Sequence, residues 1–201
     1  MSVSFINKLF KSKSNDDFCT AVVLAAGNSQ RMGKDKIRMP LGGAPVIAHT
    51  LKALQSAECI DEIVVVTKYE SLQELADICN DHGISKASKV VVGGKTRLES
   101  SLIGVSNADE RAKYIAIHDG ARPFVTNSLI ERVVHSAHQH GASAPAVSAT
   151  DTVRILNVKG AVVETPSRDL VALMQTPQVF LTEMIKLSLI HISEPTRLGM
   201  I

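Results

Sequence analysis

Apolar runs of strand length alternate along this chain with segments whose apolar residues recur every three to four positions. Thr20-Ala21-Val22-Val23-Leu24-Ala25-Ala26 is the first run, and its unbroken apolar character predicts a strand buried on both faces. Glu62–Thr67, Lys89–Val92, Tyr114–His118 and Ala142–Ala149 predict four more strands. Between them the helical period predicts Pro45–Ser56, with Pro45 in its first turn, Ser71–His82 stopped by Gly83, Thr96–Asn107, and Asn127–His140 closed by Gly141. Continuous apolar strands alternating with helices predict a three-layer α/β fold: a mostly parallel, twisted sheet covered by helices on both faces. After Thr150 the pattern changes. Val153–Val163 predicts a hairpin turning at Asn157-Val158-Lys159-Gly160, a β-arm over about residues 150–165 suited to joining two subunits. The organisation is an N-terminal extension (1–17), one domain (18–187) and a tail (188–201), without internal repeats or low-complexity linkers.

Composition narrows the partners. A net charge of +2 in 201 residues gives no general attraction to nucleic acid, so any anion site must be local. No apolar run is long enough to span a membrane. Phe5, Ile6, Leu9 and Phe10 share a helical face with lysines around them, a pattern a short membrane-surface helix would share. It is read as a frayed extension, and no membrane partner is assigned. It lacks the long apolar core and cleavage site of a secretory signal. Cys19, Cys59 and Cys79 are odd in number and form no C-x-x-C pair; they read as reduced thiols of a cytoplasmic protein.

Ligands of parallel sheets bind beyond the carboxyl ends of the strands, and the glycine and charged clusters fall there: Gly27, Gly93-Gly94 and Asp119-Gly120. The first run leads into Gly27-Asn28-Ser29-Gln30-Arg31-Met32-Gly33, then Lys34, Lys36 and Arg38. Exposed amides beside a glycine can hold phosphate oxygens, and the basic side chains add charge. The loop is neither a Walker A loop nor G-x-G-x-x-G, which disfavours a dinucleotide-dependent dehydrogenase. His135, His138 and His140 cluster near a helix end. They are read as solvated residues favoured by the helix dipole, not as metal ligands.

Leu24-Ala25-Ala26-Gly27, Arg31-Met32 and Lys36 resemble the signature of nucleotidyltransferases that activate sugars and polyols. Further motifs follow in order: Gly93-Gly94-x-x-Arg97-x-x-Ser100, His118-Asp119-Gly120-Ala121-Arg122-Pro123-Phe124, Asp151-Thr152-Val153 and Thr176-Pro177-Gln178-Val179-Phe180. Over about Cys19 to Lys186 they closely resemble the 2-C-methyl-D-erythritol 4-phosphate cytidylyltransferase family of non-mevalonate isoprenoid synthesis. The resemblance implies a Rossmann-like nucleotidyltransferase fold. It also implies transfer of CMP from CTP to the polyol phosphate with release of pyrophosphate, a magnesium ion, and a homodimer. The attacking phosphate monoester, with a second pKa of about 6, is already largely dianionic at neutral pH. The chemistry therefore needs positioning and charge neutralisation more than a general base.

By resemblance, Arg31 and Lys36 hold the triphosphate and stabilise the transition state. Ala25, Ala26 and Gly27 contact the nucleotide through the backbone, and Gly94 and Ser100 the cytosine and ribose. Asp119 places the metal and meets the substrate. Arg122, Thr152, Arg168 and Thr176 contact the methylerythritol phosphate, with Arg168 reaching the neighbouring subunit's site. Arg97 is left outside this set, as a partner for Glu99 or Asp119. Thr176 has the alternative role of starting a strand, and His118 reads as a strand-end packing residue.

Two departures stand out. Ser29 replaces a glycine common in the loop. From about Ser188 the sequence resembles nothing in the family, and the late strand and lysine of its members do not appear. A truncated chain with a foreign tail, weakly active or inactive, is the expectation. The rival readings are a ribitol-5-phosphate cytidylyltransferase, a nucleotide-sugar pyrophosphorylase using UTP or GTP, and an inactive nucleotide-binding or dimerisation module.

Overall fold

A computed structural model describes residues 17–27 and 35–193. The chain order is β1 (Cys19–Leu24), β2 (Pro40–Leu41), β3 (Ala44–Pro45), α1 (Val46–Ser56), β4 (Glu62–Thr67), α2 (Leu72–Asp81), β5 (Ala87–Val92), α3 (Arg97–Ser106), β6 (Tyr114–Asp119), α4 (Asn127–His140), β7 (Ala142–Ser143), β8 (Ala146–Ser148), β9 (Ile155–Leu156), β10 (Val162–Glu164), β11 (Ala172–Met174), β12 (Gln178–Leu181) and α5 (Thr182–Ser193).

The main sheet runs β5-β4-β1-β6-β12-β7. The first four strands are mutually parallel, and β12 lies antiparallel to both its neighbours. The apolar runs explain the layering. Ala21 and Val23 of β1 and Ile63 and Val65 of β4 face one core, sealed by Leu51 and Leu54 of α1, Leu75 of α2 and Ile130 and Val134 of α4. Val22, Val66, Ile115 and Ile117 face the opposite side, against Val105 of α3 and Ile185 and Leu189 of α5. Each central strand thus buries both faces, as its continuous apolar sequence requires.

Helix ends follow their local chemistry. Thr96 accepts from the Glu99 amide while the Glu99 carboxylate accepts from the Thr96 amide, a reciprocal cap on α3. Thr126 caps α4, and Gly141 ends it at φ 80°. Pro45 does not enter α1. It is extended (φ −61°, ψ 146°), precedes the first turn as N-cap and pairs with Pro40 in the β2–β3 ribbon.

Two further expectations differ from the fold. The fifth run is not one strand: Ala144-Pro145 interrupts it, since proline donates no ladder hydrogen bond. Its first part, β7, closes the main sheet, whereas β8 leaves to pair with β11. The sheet also holds β12, inserted between β6 and β7 and absent from the predicted strands. The hairpin β9–β10 forms as expected, with the Asn157 carboxamide accepting from the Lys159 and Ala161 amides and Gly160 at φ 82°. Helix α5 crosses position 188 without a break and buries Leu189 against the second core. Residues 1–16, and with them nearly all of the N-terminal extension, lie outside the described residues, as do 194–201 of the tail.

Candidate active site

The chain leaves β1 toward β4 and β5 on one side and β6 on the other, so a crevice opens beyond Leu24 where the strand order reverses. Leu24 and Asp119 are register partners there, and their neighbours are tied together: the Gly120 amide donates to the Leu24 carbonyl (2.9 Å) and the Ala25 amide to the Val66 carbonyl (2.7 Å). The resulting cleft has a volume of about 1260 Å³. Its floor is Ala25–Gly27 and its walls include Lys36, Lys68, Gly93, Gly94, Ser100 and Asp119.

Small residues allow this convergence. A Cβ at Gly93 would stand 2.8 Å from Ser100 Oγ and 2.9 Å from Ala26 Cβ, and one at Gly120 would stand 2.7 Å from Ile47 Cδ1. Ser100, buried in the first turns of α3, accepts from the Gly94 amide (3.2 Å). The predicted nucleotide residues Ala25, Ala26, Gly27, Gly94 and Ser100 therefore share one cleft. Buried Thr50 braces the opposite side by donating to the Gly120 carbonyl (2.9 Å).

Asp119, at the end of β6, is held by two arginines. Arg97 Nη2 donates to Oδ1 (3.0 Å) and Arg122 Nε to Oδ2 (3.0 Å). Burial pushes the carboxyl pKa up, but the hydrogen bonds and charges of Arg97 and Arg122 together outweigh it and hold the group below the ordinary carboxylate range. A carboxylate ionised at neutral pH thus sits among cations. Arg122 Nη1 also bonds the Gln175 carboxamide oxygen. Arg97, set aside in the sequence reading, lines the cleft directly. Its motif position between Gly94 and Ser100 was the available signal.

Other predicted residues lie elsewhere. Thr176 is buried and its hydroxyl meets His118 Nδ1 (2.9 Å), while His118 Nε2 faces the Arg122 carbonyl (3.3 Å). His118 is fully buried, and desolvation lowers its pKa; it packs and bridges at the strand end. Thr152 and Arg168 are exposed on the segments around the arm and do not line the cleft. Arg31 lies outside the described residues. Of the three histidines on α4, His138 departs from a solvated role. Its ring packs on Tyr114 with centroids 4.2 Å apart, and its Nε2 is buried without a partner. Cys19, Cys59 and Cys79 form no disulfide, and burial raises the Cys79 thiol pKa.

The arrangement, a glycine-lined floor at a strand switch point with cations set beside the carboxylates of Glu70, Glu99 and Asp119, suits a nucleotide polyphosphate. Comparison with known proteins agrees: residues 19–197 match the family of 2-C-methyl-D-erythritol 4-phosphate cytidylyltransferase. The chain belongs to that family. The match reaches into the segment past 188 that the sequence reading set apart. The enzyme of that name from Clostridium botulinum (strain ATCC 19397 / Type A) is 37% identical over 163 residues, which are 80% of this chain and 71% of that protein. The crystal structure of 4-diphosphocytidyl-2C-methyl-D-erythritol synthase from Anaerococcus prevotii superposes with a TM-score of 0.78 at 27% identity, covering 92% of this chain and 81% of that one. The Thermus thermophilus cytidylyltransferase of this family superposes with a TM-score of 0.66 at 26% identity, covering 86% and 75%. Membership carries the α/β nucleotidyltransferase fold and cytidylyltransferase chemistry. Among the described residues no helix is long and apolar enough to cross a membrane.

Proposed function

We propose that this chain transfers CMP from CTP to 2-C-methyl-D-erythritol 4-phosphate, releasing pyrophosphate, in the cytoplasm. The supporting observation is the convergence of three of the family motifs, those at Leu24–Gly27, Gly93–Ser100 and Asp119–Arg122, on one cleft whose rim pairs cations with an ionised Asp119. Ala25, Ala26 and Gly27 approach the nucleotide through the backbone, and Gly94 and Ser100 receive its base and ribose. Arg31 and Lys36 neutralise the triphosphate as negative charge builds at the α-phosphorus. The attacking phosphate oxygen needs no base, so His118 can remain a buried packing residue. Arg122, Thr152 and Arg168 orient the polyol phosphate, with Arg168 supplied to the site of a second subunit; Thr176 acts behind them, through the buried His118 that faces the Arg122 carbonyl. The exposed apolar side chains Ile155, Leu156, Val158, Val162 and Val163 of the arm support a homodimer joined there.

A magnesium ion fits this site in one way. Asp119 offers a single ionised carboxylate, and no cluster of three acidic, histidine or cysteine side chains exists among the described residues. Such a donor set suits an ion that takes most of its oxygens from the nucleotide phosphates and water. Bound so, magnesium would neutralise phosphate charge in the transition state. Asp119 would hold it while Arg97 and Arg122 keep that carboxylate ionised and aimed.

Pyrophosphate release decides the matter. The chain should release it from CTP with methylerythritol phosphate and magnesium, and far more slowly with UTP, GTP or ribitol 5-phosphate. Preference for ribitol phosphate, or CTP binding without release in any combination, would overturn the assignment.

A further inference from the structure

Arg38 stands in the basic run after the phosphate loop, where a third triphosphate cation would be placed. Its contacts point the other way. Nη2 donates to Ser71 Oγ (2.7 Å) and lies 2.7 Å from Glu74 Oε2, while Nε lies 3.6 Å from the Asp35 carboxylate. Ser71 is buried and is the N-cap residue of α2; Glu74 belongs to that helix's first turn. Lys36 and Ile37 line the cleft, and Arg38 does not.

From these contacts we infer that Arg38 is a positioning residue, a strut that ties the turn carrying Lys36 to the start of α2 and sets the width of the nucleotide cleft. The inference rests on the cytidylyltransferase reading of the cleft. The backbone anchors of the turn lead elsewhere. Ile37 is buried in the core under α1, the Ile37 carbonyl accepts from the Ile47 amide (3.0 Å), and the Met39 carbonyl accepts from the Val46 amide (3.0 Å). Those bonds fix the turn to α1. The facing wall, Lys68-Tyr69-Glu70, leads directly into α2. Arg38 spans from one wall to the other.

Arginine suits the task because its planar fork can serve a hydroxyl and two carboxylates together. An isolated exposed ion pair would contribute little. Here one side chain links two separate segments and supplies a donor to a buried hydroxyl, whose loss carries a desolvation cost. Glu74 and Asp35 also neutralise the guanidinium, which leaves the phosphates to Lys36.

Calorimetric titration with CTP and magnesium tests the strut without needing turnover. Arg38→Met should weaken CTP binding about five- to tenfold, Glu74→Gln in the same direction, and Arg38→Lys, which keeps a donor, should recover part of the loss. Adding Arg38→Met to Lys36→Met should change affinity less than about twofold beyond Lys36→Met alone, because the strut acts through Lys36. Thermal unfolding confirms that each variant is folded; should Arg38→Met not fold, Glu74→Gln, altered on the exposed side of α2, decides. Wild-type binding with Arg38→Met or Glu74→Gln unchanged overturns the strut alone. A loss from Arg38→Met that adds in full to that of Lys36→Met overturns it too, since Arg38 would then touch the nucleotide itself. A wild-type chain that takes up no CTP overturns the reading of the cleft and the strut with it.

Discussion

The Arg97 guanidinium meets the Asp119 carboxylate at 3.0 Å, joining the first turn of α3 to the end of β6 along the wall of the cleft. Arg122 holds the other carboxylate oxygen. The two arginines keep Asp119 ionised against the upward push of burial. Arg97→Ala removes one of them, so the Asp119 carboxyl should titrate at higher pH, nearer the ordinary range. Side-chain carboxyl NMR, assigned with Asp119→Asn, measures this in the ligand-free chain. The same titration curve in both proteins would mean that Arg122 alone sets the value. Because the folded pKa is depressed, the stability Asp119 contributes is present above its unfolded pKa of about 3.9 and lost as pH falls through the lower folded value. Arg97→Ala should shrink that contribution.

Helix α3 carries the Gly94–Ser100 wall only because it lies close on the sheet. A Cβ at Gly104 would stand 2.3 Å from Val22 Cγ1 and 2.9 Å from Val66 Cγ2, both in the centre of the second core. Neither valine can move without displacing its strand, since interiors are close-packed. Gly104→Ala should therefore destabilise the fold by about 1–3 kcal/mol despite alanine's better helix propensity. Chemical denaturation reads the loss; an unchanged or raised midpoint would show that α3 has room to lift.

His118 makes acid stability testable at one buried site. Burial lowers its pKa, so the folded chain holds it neutral while the unfolded chain takes up a proton near pH ~6.5. The stability this residue contributes is fully present above the unfolded value and is lost as pH falls through the depressed folded one. His138 shifts in the same direction, by burial first and against the pull of Asp17. Replacing His118 by Gln should lower stability at neutral pH and flatten the fall in melting temperature between about pH 7 and pH 5. A fall as steep as in the wild type would assign the acid sensitivity elsewhere.

What the sequence made legible was whatever is local or periodic. The strands β1, β4 and β6 are unbroken apolar runs because both faces are buried, and α4 carries its own start and stop in Thr126 and Gly141. The strand β12 was foreshadowed only as an alternative, a strand starting at Thr176, because its four residues, Gln178–Leu181, are too few to show a period, and its place between β6 and β7 is set by pairing across the sheet. In the site, the glycines could be placed from their positions at strand ends. Asp119 was one of two partners the sequence offered Arg97, and the fold chooses it; the Arg38–Glu74 pair could not be placed, because it joins segments far apart in sequence. Thr176 shows the converse: a polar residue in a motif whose hydroxyl the fold turns inward to His118.

The proposed dimer makes a quantitative claim about Arg168. It lies on an exposed helical turn, Arg168–Leu170, near an arm whose apolar side chains are exposed, and it does not line the cleft that holds Lys36. If it completes the site of a second subunit, Lys36 and Arg168 of one chain serve different sites. Arg168→Ala and Lys36→Ala should each abolish most CMP transfer alone. Unfolded, mixed and refolded together at equal amounts, they form heterodimers in which one site lacks both residues and the other keeps both. Random pairing then restores about a quarter of the wild-type sites, since half of the dimers are mixed and each has one intact site. Leu156→Glu with Val163→Glu, which places charge on the arm, should yield monomers in sedimentation and remove the complementation. No recovery from a mixture that sediments as a dimer would place Arg168 in the same site as Lys36 or outside the chemistry altogether.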